Sequence, residues 1–426
     1  MRIALISTGE EILNGDIVDT NSAWLAQRLS EAGLKLSWHI TVGDDMSSLL
    51  DAFRLASERS DACIVNGGLG PTSDDLSAEA AAKLNDEGLR ELPEWREKLE
   101  QYYAQLNRSM PVSNLKQAMI PASGQMIDNP VGTACGFAIR HNQCRLMFTP
   151  GVPHEFKRMI DEQVIPSLLA QAQQITPQLH RWLTVGLSES LLADLLDDVT
   201  LPGGATLGYR SSMPTIEIKL SVPANTENDV LEQVLKTISD KLGDYVFVAG
   251  KSSLAQRIQD LMLAKQLRLA AAESCTGGMI ADWLVAEAGS SGYFDRGYVT
   301  YSNAAKMADL AVAEDLLEQF GAVSKEVAGA MAIGAAAASE ADYAVSTSGI
   351  AGPTGATADK PVGTVAFALK TPTNTYRQLL ILQNRGRSMI RKQSAAIALD
   401  MLRRHLTGIE VFANYSGIQR VESDMV

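Results

Sequence analysis

Residues 62–71 read Ala-Cys-Ile-Val-Asn-Gly-Gly-Leu-Gly-Pro, an apolar run that ends abruptly in a glycine-rich turn. Such a run, bounded by turn residues, is typical of a strand that is buried on both faces. Residues 2–7 and 34–42 form two more apolar runs, and the stretches 21–31 and 47–57 have the periodicity of amphipathic helices. This β-α-β-α order predicts a mostly parallel sheet with helices on both faces.

The turns that follow the predicted strands are rich in polar residues and glycine. In a parallel α/β sheet, ligands bind beyond the carboxyl ends of the strands. Those ends carry residues 8–11 (Thr-Gly-Glu-Glu), 66–68 (Asn-Gly-Gly) and 149–151 (Thr-Pro-Gly). The sequence therefore predicts a ligand site at this edge of the N-terminal sheet.

The length of the chain and the changes in its strand and helix patterns predict three domains, because 426 residues exceed what one hydrophobic core usually organises. Residues 1–170 form the predicted α/β domain. A polar, linker-like stretch, Gln171–Gln178, opens a small α+β connector that extends over residues 171–250. A second α/β domain is predicted for residues 251–426, where strand and helix patterns alternate again.

The bulk composition excludes several classes of partner. The formal net charge is −13 and no run of five or more Lys or Arg occurs, so we expect no nucleic-acid partner. The four cysteines form no C-x-x-C pair and no zinc-ligand spacing, which favours a reduced, cytoplasmic protein. No stretch approaches the roughly 20 apolar residues of a spanning helix, so no membrane association is expected.

In the C-terminal domain, residues 272–278 read Ala-Glu-Ser-Cys-Thr-Gly-Gly where a predicted buried strand turns into a helix. The hydroxyl of Ser274 emerges at the end of this strand. Gly277 and Gly278 allow backbone N–H groups to approach an oxyanion or a phosphate. The alternative is a Ser/Thr helix cap with glycines that permit close packing.

Lys306 follows a predicted helix cap at Asn303 by about one helical turn, so its side chain is expected to point back towards the strand end. A serine nucleophile needs a neighbouring base, and this region has no histidine. Lysine can serve as that base if burial lowers its pKa. The alternative is a surface lysine on a polar helix face.

Two further stretches offer groups for an anionic ligand. Residues 346–355, Ser-Thr-Ser-Gly-Ile-Ala-Gly-Pro-Thr-Gly, run from a strand into a loop with several hydroxyls, which suits a phosphorylated sugar. Residues 384–387, Asn-Arg-Gly-Arg, join a strand to a helix start and offer guanidinium groups for an anion. Each stretch alone is equally typical of an ordinary turn.

In the N-terminal domain, the glycine-rich turn continues into Asp74 and Asp75 at a predicted helix start. The strand-end argument places Glu10, Asp16 and Asp19 nearby. Carboxylates clustered beside a phosphate-binding loop suggest a divalent metal that activates water against a pyrophosphate. The alternative is that the two aspartates cap the helix and complement its dipole.

Lys116 and Glu155 lie in later loops of the same predicted domain. Lys116 would neutralise a phosphate, and Glu155 would complete a metal site. Taken singly, both are also ordinary polar loop residues.

The order and spacing of the C-terminal stretches, together with residues 360–365 (Lys-Pro-Val-Gly-Thr-Val), resemble the CinA C-terminal family from residue 252 to about residue 406. The resemblance implies a nicotinamide-nucleotide amidase that converts nicotinamide mononucleotide to nicotinate mononucleotide and ammonia without a cofactor. It implies that Ser274 is the nucleophile and Lys306 its base, and that the N–H groups around residues 276–278 face the oxyanion. The residues then expected to bind substrate are Thr276, Gly277, Gly278, Tyr301, Thr347, Ser348 and Arg387. The chain departs from the family pattern at Ala356, in place of glycine, and at residues 385–387, where Arg-Gly-Arg replaces Gly-Asp/Asn-Arg.

The ordered set of residues 66–75, 114–118, 129–134 and 150–155 resembles the CinA N-terminal domain, which is similar to molybdopterin-binding domains. This resemblance implies a metal-dependent ADP-ribose pyrophosphatase that releases AMP and ribose 5-phosphate, with Mg²⁺, Mn²⁺ or Co²⁺ as cofactor. The expected substrate contacts are Gly67, Gly68, Gly70, Thr72, Asn114, Lys116 and Gln117. The expected metal ligands are Asp16, Asp74, Asp75 and Glu155. Cys135 stands where the family usually has proline.

The connector occupies the place of the family's KH-like domain. A KH module clamps nucleic acid with a G-x-x-G loop, and residues 203–208, Gly-Gly-Ala-Thr-Leu-Gly, do not have that spacing. A spacer or a dimer element is therefore the favoured interpretation, and we expect a homodimer. Two rival hypotheses are an N-terminal domain that binds a pterin or nucleotide without turnover, and a protein partner of competence or recombination.

Overall fold

The computed structural model describes residues 1–172, 177–250 and 252–426, which divide into two compact units, Met1–Pro177 and Gln178–Val426. Half of the predicted linker Gln171–Gln178, residues 173–176, lies outside the described residues, as does Lys251 at the predicted start of the third domain. Within the described ranges, no helix has both the length and the apolar character needed to span a bilayer.

The first unit is built around one six-stranded sheet. Its strands are β1 (Ile3–Thr8), β2 (Leu36–Val42), β3 (Ala62–Asn66), β4 (Leu89–Glu91), β5 (Met119–Pro121), β6 (Gln125–Ile127), β7 (Gly136–His141) and β8 (Cys144–Thr149). The order is β2-β1-β3-β8-β7-β6, and β4 pairs with β5 separately. The first four strands of the sheet are parallel, and β7 and β6 are antiparallel additions, so the predicted mostly parallel sheet is confirmed.

Helices cover both faces of this sheet because β1 is apolar on both of its sides. The helices are α1 (Glu10–Leu13), α2 (Thr20–Glu31), α3 (Met46–Arg59), α4 (Ser77–Leu84), α5 (Pro93–Gln105), α6 (Pro153–Met159) and α7 (Ile165–Ala172), with a π-helical turn at Ile160–Val164 and a 3₁₀ turn at Val112–Ala118. Ile3 and Leu5 pack with α2, α6 and α7, whereas Ala4 and Ile6 pack with α3 and α4. Each large apolar side chain buried in this way contributes about 1.5–3 kcal/mol.

The connector forms the beginning of the second unit. Its strands are β9 (Gln178–Val185), β10 (Thr206–Ser212), β11 (Thr215–Val222) and β12 (Val246–Ala249), in the antiparallel order β10-β11-β9-β12. Helices α8 (Glu189–Leu196) and α9 (Asn228–Leu242) bury their apolar faces against this sheet, and a 3₁₀ turn follows at Gly243–Tyr245. The amphipathic pattern of α9 predicts its buried residues correctly, because Leu231, Val234 and Ile238 recur at helical spacing.

The rest of the second unit contains the second six-stranded sheet. Its strands are β13 (Leu269–Glu273), β14 (Phe294–Val299), β15 (Tyr343–Gly349), β16 (Thr364–Lys370), β17 (Thr375–Ile381) and β18 (Gln419–Met425), in the order β14-β13-β15-β16-β17-β18. The first three strands are parallel and the others antiparallel. Its helices are α10 (Leu254–Ala264), α11 (Met279–Val285), α12 (Asn303–Leu310), α13 (Glu314–Phe320), α14 (Lys325–Ser339) and α15 (Arg387–Thr407), with a 3₁₀ turn at Ser290–Gly292.

Side-chain size decides how closely the helices approach β13. Ala270 and Ala272 face the alanine-rich α14, whereas Leu269 and Ala271 face the core formed with α10 and α15. The small residues on one side allow α14 to lie close to the sheet. The strand is therefore buried on both faces and holds its carboxyl end, where Ser274 follows, in a fixed position.

Two predicted boundaries at this end of the sheet are wrong, as is one in the first unit. The helix predicted from Gly277 begins at Met279, because Gly277 and Gly278 adopt the left-handed conformation, with φ of 60° and 91°. Ser302, and not Asn303, caps α12 through a hydrogen bond from the N–H of Ala305. In the first unit, Asp19 caps α2, which begins at Thr20, whereas the sequence pattern predicts the helix over residues 21–31 with Thr20 or Asn21 as its cap.

Candidate active sites

Ser274 lies in the turn between β13 and α11. Its backbone N–H donates to the carbonyl of Thr347 at 2.9 Å, which extends the parallel pairing of β13 with β15 by one residue. The chain then reverses through Gly277 and Gly278 before α11 begins. The side chain of Ser274 thus stands at the carboxyl end of the sheet, 8% exposed and at the wall of a cavity of about 230 Å³.

Lys306 reaches this serine from α12. Its Nζ donates to Ser274 Oγ at 3.2 Å and to the carbonyl of Thr300 at 3.0 Å, and the residue is only 1% exposed. The alternative of a surface lysine is therefore excluded. The structure brings together the two residues that were predicted to form a nucleophile and its base.

The surroundings of Lys306 favour its uncharged form. Burial lowers the pKa of Lys306 from its ordinary value of 10.5. None of the carboxylates in the described ranges forms an ion pair with its ammonium group, which is unusual for a buried lysine. A neutral amine at this position can accept the proton of the Ser274 hydroxyl.

A buried carboxylate that the sequence analysis did not single out holds the Ser274 turn in place. Glu273 is fully buried, and its carboxylate accepts hydrogen bonds from the backbone N–H groups of Gly278, Ile280 and Ala281 at 2.9–3.1 Å. The N–H of Gly278 is therefore occupied and does not face an oxyanion. The N–H of Gly277 has no hydrogen-bond acceptor within the described part of the chain.

The predicted substrate residues divide into two groups. Tyr301, Ser348 and Arg387 line the cavity, and the guanidinium of Arg387 donates to the carbonyl of Gly352 at 2.8 Å and to the Tyr301 hydroxyl at 3.1 Å. Thr276, Thr347, Gly277 and Gly278 are not among the residues that line it.

Thr276 and Thr347 are held within the protein and not at the cavity. Their hydroxyls are fully buried and hydrogen-bonded to each other at 2.7 Å, which links β15 to the turn after β13. Each hydroxyl therefore satisfies the other without a ligand. Thr276 and Thr347 stabilise the position of Ser274, and the structure does not place them in contact with the cavity.

Two neighbours of the nucleophile turn add to the description of the site. Arg391, one helical turn beyond Arg387 on α15, donates to the carbonyl of Thr276 at 2.6 Å. The spacing of the two arginines on one helix was the signal that could have identified it. Cys275 is buried beside Ser274, and burial raises its pKa to about 12, so its thiol is not a competing nucleophile.

A second cavity, of about 540 Å³, lies at the carboxyl ends of β1 and β3 in the first unit. Of the predicted substrate residues, Gly67, Gly68, Gly70 and Gln117 line it. Thr72, Asn114 and Lys116 are not among its lining residues. Lys116 instead pairs with Glu79 at 3.1 Å and donates to the carbonyl of Thr72, so it braces the glycine-rich loop from outside.

The lining of this cavity is strongly acidic. Six carboxylates contribute to it: Glu11, Asp19, Asp44, Asp74, Asp75 and Glu155. In the described residues, no lysine, arginine or histidine lines it. Burial, together with the neighbouring charges of Glu11 and Asp74, raises the pKa of Asp44. An anionic ligand therefore meets a repulsive field here unless cations accompany it.

The structure does not bring the four predicted metal ligands together. Asp16 is exposed and is not among the lining residues, because it lies in the turn after α1. Glu155 accepts a hydrogen bond from the Asn129 side chain at 2.6 Å, and Asp75 accepts one from the N–H of Thr72. Across the described ranges, no group of three acidic, histidine or cysteine side chains has a metal-binding arrangement.

The donor atoms nevertheless have the chemistry that hard divalent cations prefer, because all of them are oxygens. The buried oxygens Thr8 Oγ1 and Asn21 Oδ1, on two residues that also line the cavity, have no hydrogen-bond partner among the residues that the structure describes. Unpartnered buried oxygens of this kind are satisfied by a ligand or by water. The cavity thus suits a hydrated divalent ion better than a closed cage of four carboxylates.

Comparison with known proteins agrees with this architecture. Residues 4–170 match the family described as "Probable molybdopterin binding domain", residues 181–248 match "Damage-inducible protein CinA KH domain", and residues 251–406 match "CinA C-terminal domain". The chain is thus a three-part protein of the class that joins a molybdopterin-binding-type domain to a CinA C-terminal domain.

Full-length relatives identify the family. A CinA-like protein from Shewanella loihica is 50% identical over 421 residues, which cover 99% of each chain. The nicotinamide-nucleotide amidohydrolase PncC of Shewanella oneidensis is 49% identical over 421 residues, again 99% of each chain. The chain belongs to the CinA-like protein family. Among solved structures, the competence/damage inducible protein CihA from Agrobacterium tumefaciens is 44% identical, covers 36% of this chain and 93% of its own, and has a TM-score of 0.35.

Proposed function

We propose that the second unit hydrolyses the carboxamide of nicotinamide mononucleotide, giving nicotinate mononucleotide and ammonia. The observation that carries this proposal is the hydrogen bond between Lys306 Nζ and Ser274 Oγ, in a buried position where no carboxylate of the described residues pairs with the lysine. The name of the Shewanella oneidensis relative, a nicotinamide-nucleotide amidohydrolase, supports the choice of substrate.

The geometry supports a two-step acyl transfer. Neutral Lys306 accepts the proton of Ser274 as Oγ attacks the carboxamide carbon, and a backbone N–H group of the turn that follows Ser274 stabilises the resulting oxyanion. Lys306 then returns the proton to the departing nitrogen, and ammonia leaves. A water molecule, deprotonated by the same lysine, attacks the nicotinoyl ester and releases the acid and free Ser274.

Two cavity residues have the chemistry to hold the rest of the substrate. Arg387 presents a guanidinium at the cavity, which suits the 5′-phosphate. Tyr301 is 63% exposed, and its ring offers a face to the positively charged pyridinium. The hydrogen bond between these two side chains keeps both at the mouth of the cavity.

The test is ammonia release from nicotinamide mononucleotide by the full chain in the presence of a chelator. We expect activity in the wild type, and its loss in Ser274→Ala and in Lys306→Ala. Lys392→Ala, which removes an exposed lysine of α15, is the matched control and should retain activity. No ammonia from the wild type, or full activity in either site variant, would refute the proposal.

We further propose that the first unit hydrolyses ADP-ribose to AMP and ribose 5-phosphate with the help of a divalent cation, Mg²⁺, Mn²⁺ or Co²⁺. The specific observation is the cavity with six carboxylates and no basic lining residue in the described part of the chain. A pyrophosphate can enter such a field only with bound cations. Asp44 and Asp74, which influence each other electrostatically, would hold the ion with water, and the ion would supply charge neutralisation for water attack on a phosphorus atom.

Turnover of ADP-ribose, followed as AMP release with each cation and with EDTA, distinguishes this activity from binding alone. We expect hydrolysis with the cation, none with EDTA, and a large loss in Asp44→Asn and Asp74→Asn. Asp51→Asn, whose carboxylate is 74% exposed on α3, is the matched control. Binding of ADP-ribose without any hydrolysis would show instead that the first unit is a non-catalytic nucleotide module.

The proposed assembly is a homodimer without a nucleic-acid partner. The connector has no G-x-x-G spacing, and this, together with the net charge of −13, supports the second part of this proposal. Light scattering of the purified chain tests the dimer, and a pull-down with recombination proteins tests the rival hypothesis of a competence partner. All four cysteines are buried and unpaired, which is compatible with the proposed cytoplasmic location.

A further inference from the structure

The turn between α13 and α14 forms one wall of the Ser274 cavity. Two residues of this wall turn (residues 320–323), Ala322 and Val323, are among the lining residues, and together with Ala351 they supply the aliphatic part of the lining. The cavity measures only about 230 Å³, whereas small-molecule sites usually have about 300–1,000 Å³. In so small a cavity, the position of one wall decides how well a substrate fits.

Two serine hydroxyls hold the middle of the wall turn. The hydroxyl of Ser324, the cap of α14, donates to the carbonyl of Gly321 at 2.9 Å. The hydroxyl of Ser348, near the end of β15, donates to the carbonyl of Ala322 at 2.5 Å. Both serines are buried, so these bonds are shielded from competing water.

Lys360 holds the two ends of the wall turn from the loop between β15 and β16. Its Nζ donates to the carbonyls of Phe320 at 3.1 Å and Val323 at 2.8 Å. Within the described ranges, no carboxylate forms an ion pair with this ammonium group. The main chain of Lys360 is fixed as well, because its N–H donates to Thr357 Oγ1 and its carbonyl accepts from the N–H of Thr357. Hydrogen bonds from a charged donor are stronger than those from a neutral one, so Lys360 is the firmest tie of the turn.

These ties determine what the wall turn offers to a ligand. Because donors of the protein occupy all four of its carbonyls, the turn presents the aliphatic side chains of Ala322 and Val323 to the cavity. A flat ring packs well on such a surface. Without Lys360, the carbonyls of Phe320 and Val323 would need water or the ligand as a donor, because a carbonyl shielded from bulk water requires a partner. Water bound at this wall would then take the space of the ring.

We propose that Lys360 is a positioning residue of the Ser274 site, which holds the wall turn as the surface against which the pyridine ring of the substrate packs. Lys360 is not itself among the lining residues, so it acts through Ala322 and Val323. Its loss weakens substrate binding but leaves the hydrogen bond between Ser274 and Lys306 in place, since that bond comes from α12 and the turn after β13. This inference rests on the proposed deamidase activity.

Steady-state deamidation of nicotinamide mononucleotide by the full chain tests this role. Lys360→Met keeps the length of the side chain and removes the donor, so KM should rise about tenfold while kcat changes less than about threefold and keeps its pH dependence. Lys360→Arg, which keeps a cationic donor, should restore most of the wild-type KM. Val323→Ala, which shortens the wall and leaves the hydrogen bonds of Lys360 in place, should also raise KM. Lys265→Met is the matched control and should keep the wild-type KM, because Lys265 also donates to a backbone carbonyl, that of Leu406 at 2.9 Å, and neither residue lines the cavity.

Hydrogen–deuterium exchange of the substrate-free chain tests the tie independently of activity. A peptide that covers residues 318–327 should exchange about tenfold faster in Lys360→Met and at the wild-type rate in Lys265→Met. Wild-type exchange in Lys360→Met overturns the positioning role whether or not the chain deamidates its substrate. Faster exchange with an unchanged KM, or a loss confined to kcat, overturns it as well. If the wild type releases no ammonia, the proposed function fails, and the exchange of this peptide still decides whether Lys360 holds the wall turn.

Discussion

The carboxylate of Glu273 offers the sharpest test of how the Ser274 turn is held. One of its oxygens, Oε2, accepts from the N–H groups of Gly278 and Ile280, and the other accepts from Ala281. The substitution Glu273→Gln keeps the shape of this side chain but replaces one oxygen with an NH₂ group. If the amide oxygen takes the Oε2 position, the NH₂ group meets the N–H of Ala281, and a buried donor is left without an acceptor.

The magnitude follows from these three bonds. An unpaired buried donor costs about 1–3 kcal/mol, and two bonds that change from a charged to a neutral acceptor each lose roughly 1 kcal/mol. The neutral amide avoids the desolvation cost of a buried carboxylate, which offsets part of this loss. We therefore expect the local opening free energy of the Ser274 turn to fall by about 2 kcal/mol in Glu273→Gln.

Hydrogen–deuterium exchange of a peptide that covers residues 274–281 measures this change locally. A loss of about 2 kcal/mol corresponds to roughly 30-fold faster exchange. Because a displaced nucleophile loses its alignment, kcat for deamidation should fall about 100-fold while KM changes little. Glu287→Gln, whose carboxylate accepts only from the Ser253 hydroxyl, is the matched control. Exchange and kcat like those of the wild type in Glu273→Gln would refute the reasoning.

Three further predictions concern single residues. Because burial lowers the pKa of Lys306 and the neutral amine is the active form, kcat/KM should rise with pH to a plateau with a midpoint below 10.5. Lys306→Met should lower kcat/KM by about 10²–10⁴-fold and abolish this pH dependence. A flat pH profile in the wild type would contradict the prediction. Cys275→Ala should change kcat less than threefold, and iodoacetamide at pH 8 should not inactivate the wild type, since burial raises the thiol pKa to about 12. Gly334→Ala should destabilise the second unit by about 1–3 kcal/mol in thermal unfolding, because the added Cβ would clash with the carbonyl of Leu310. The same substitution at a helix position without this clash would increase stability, so a more stable Gly334→Ala variant would contradict the prediction.

Local periodicity was enough to predict many of the elements. In the connector, the helical spacing of apolar residues predicts a helix over Glu189–Leu196, and their alternation predicts a strand over Thr215–Val222; the structure has both with these bounds. Strand β18 was not predicted, since its sequence Gln-Arg-Val-Glu-Ser-Asp-Met is mostly polar. Pairing with β17 and ion pairs from Lys325 to Glu422 and Asp424 hold it in the sheet, and these are long-range interactions.

In the candidate sites, too, some features could be predicted from the local sequence and others could not. The contact between Ser274 and Lys306 could be predicted because Ser274 directly follows β13 and Lys306 lies in the first turn of α12, at the same edge of the sheet. The use of the Gly278 N–H by Glu273 could not, because it depends on the left-handed turn at the two glycines. In the first unit, the strand-end argument places Asp16 near the metal, but the turn after α1 leaves this residue exposed and outside the set of lining residues.

The position of β13 between β14 and β15 has a consequence for biosynthesis. Both partners of the strand that leads to Ser274 follow it in the chain, and Leu269 pairs with Tyr343 only after the whole of α12, α13 and α14 has been made. Contacts that span so many residues form late, because the intervening loop must close first. On the ribosome, the backbone N–H of Ser274 therefore can form its hydrogen bond to Thr347 only after β15 has been synthesised. A nascent chain that ends within α14 contains the nucleophile and the base but not the assembled site.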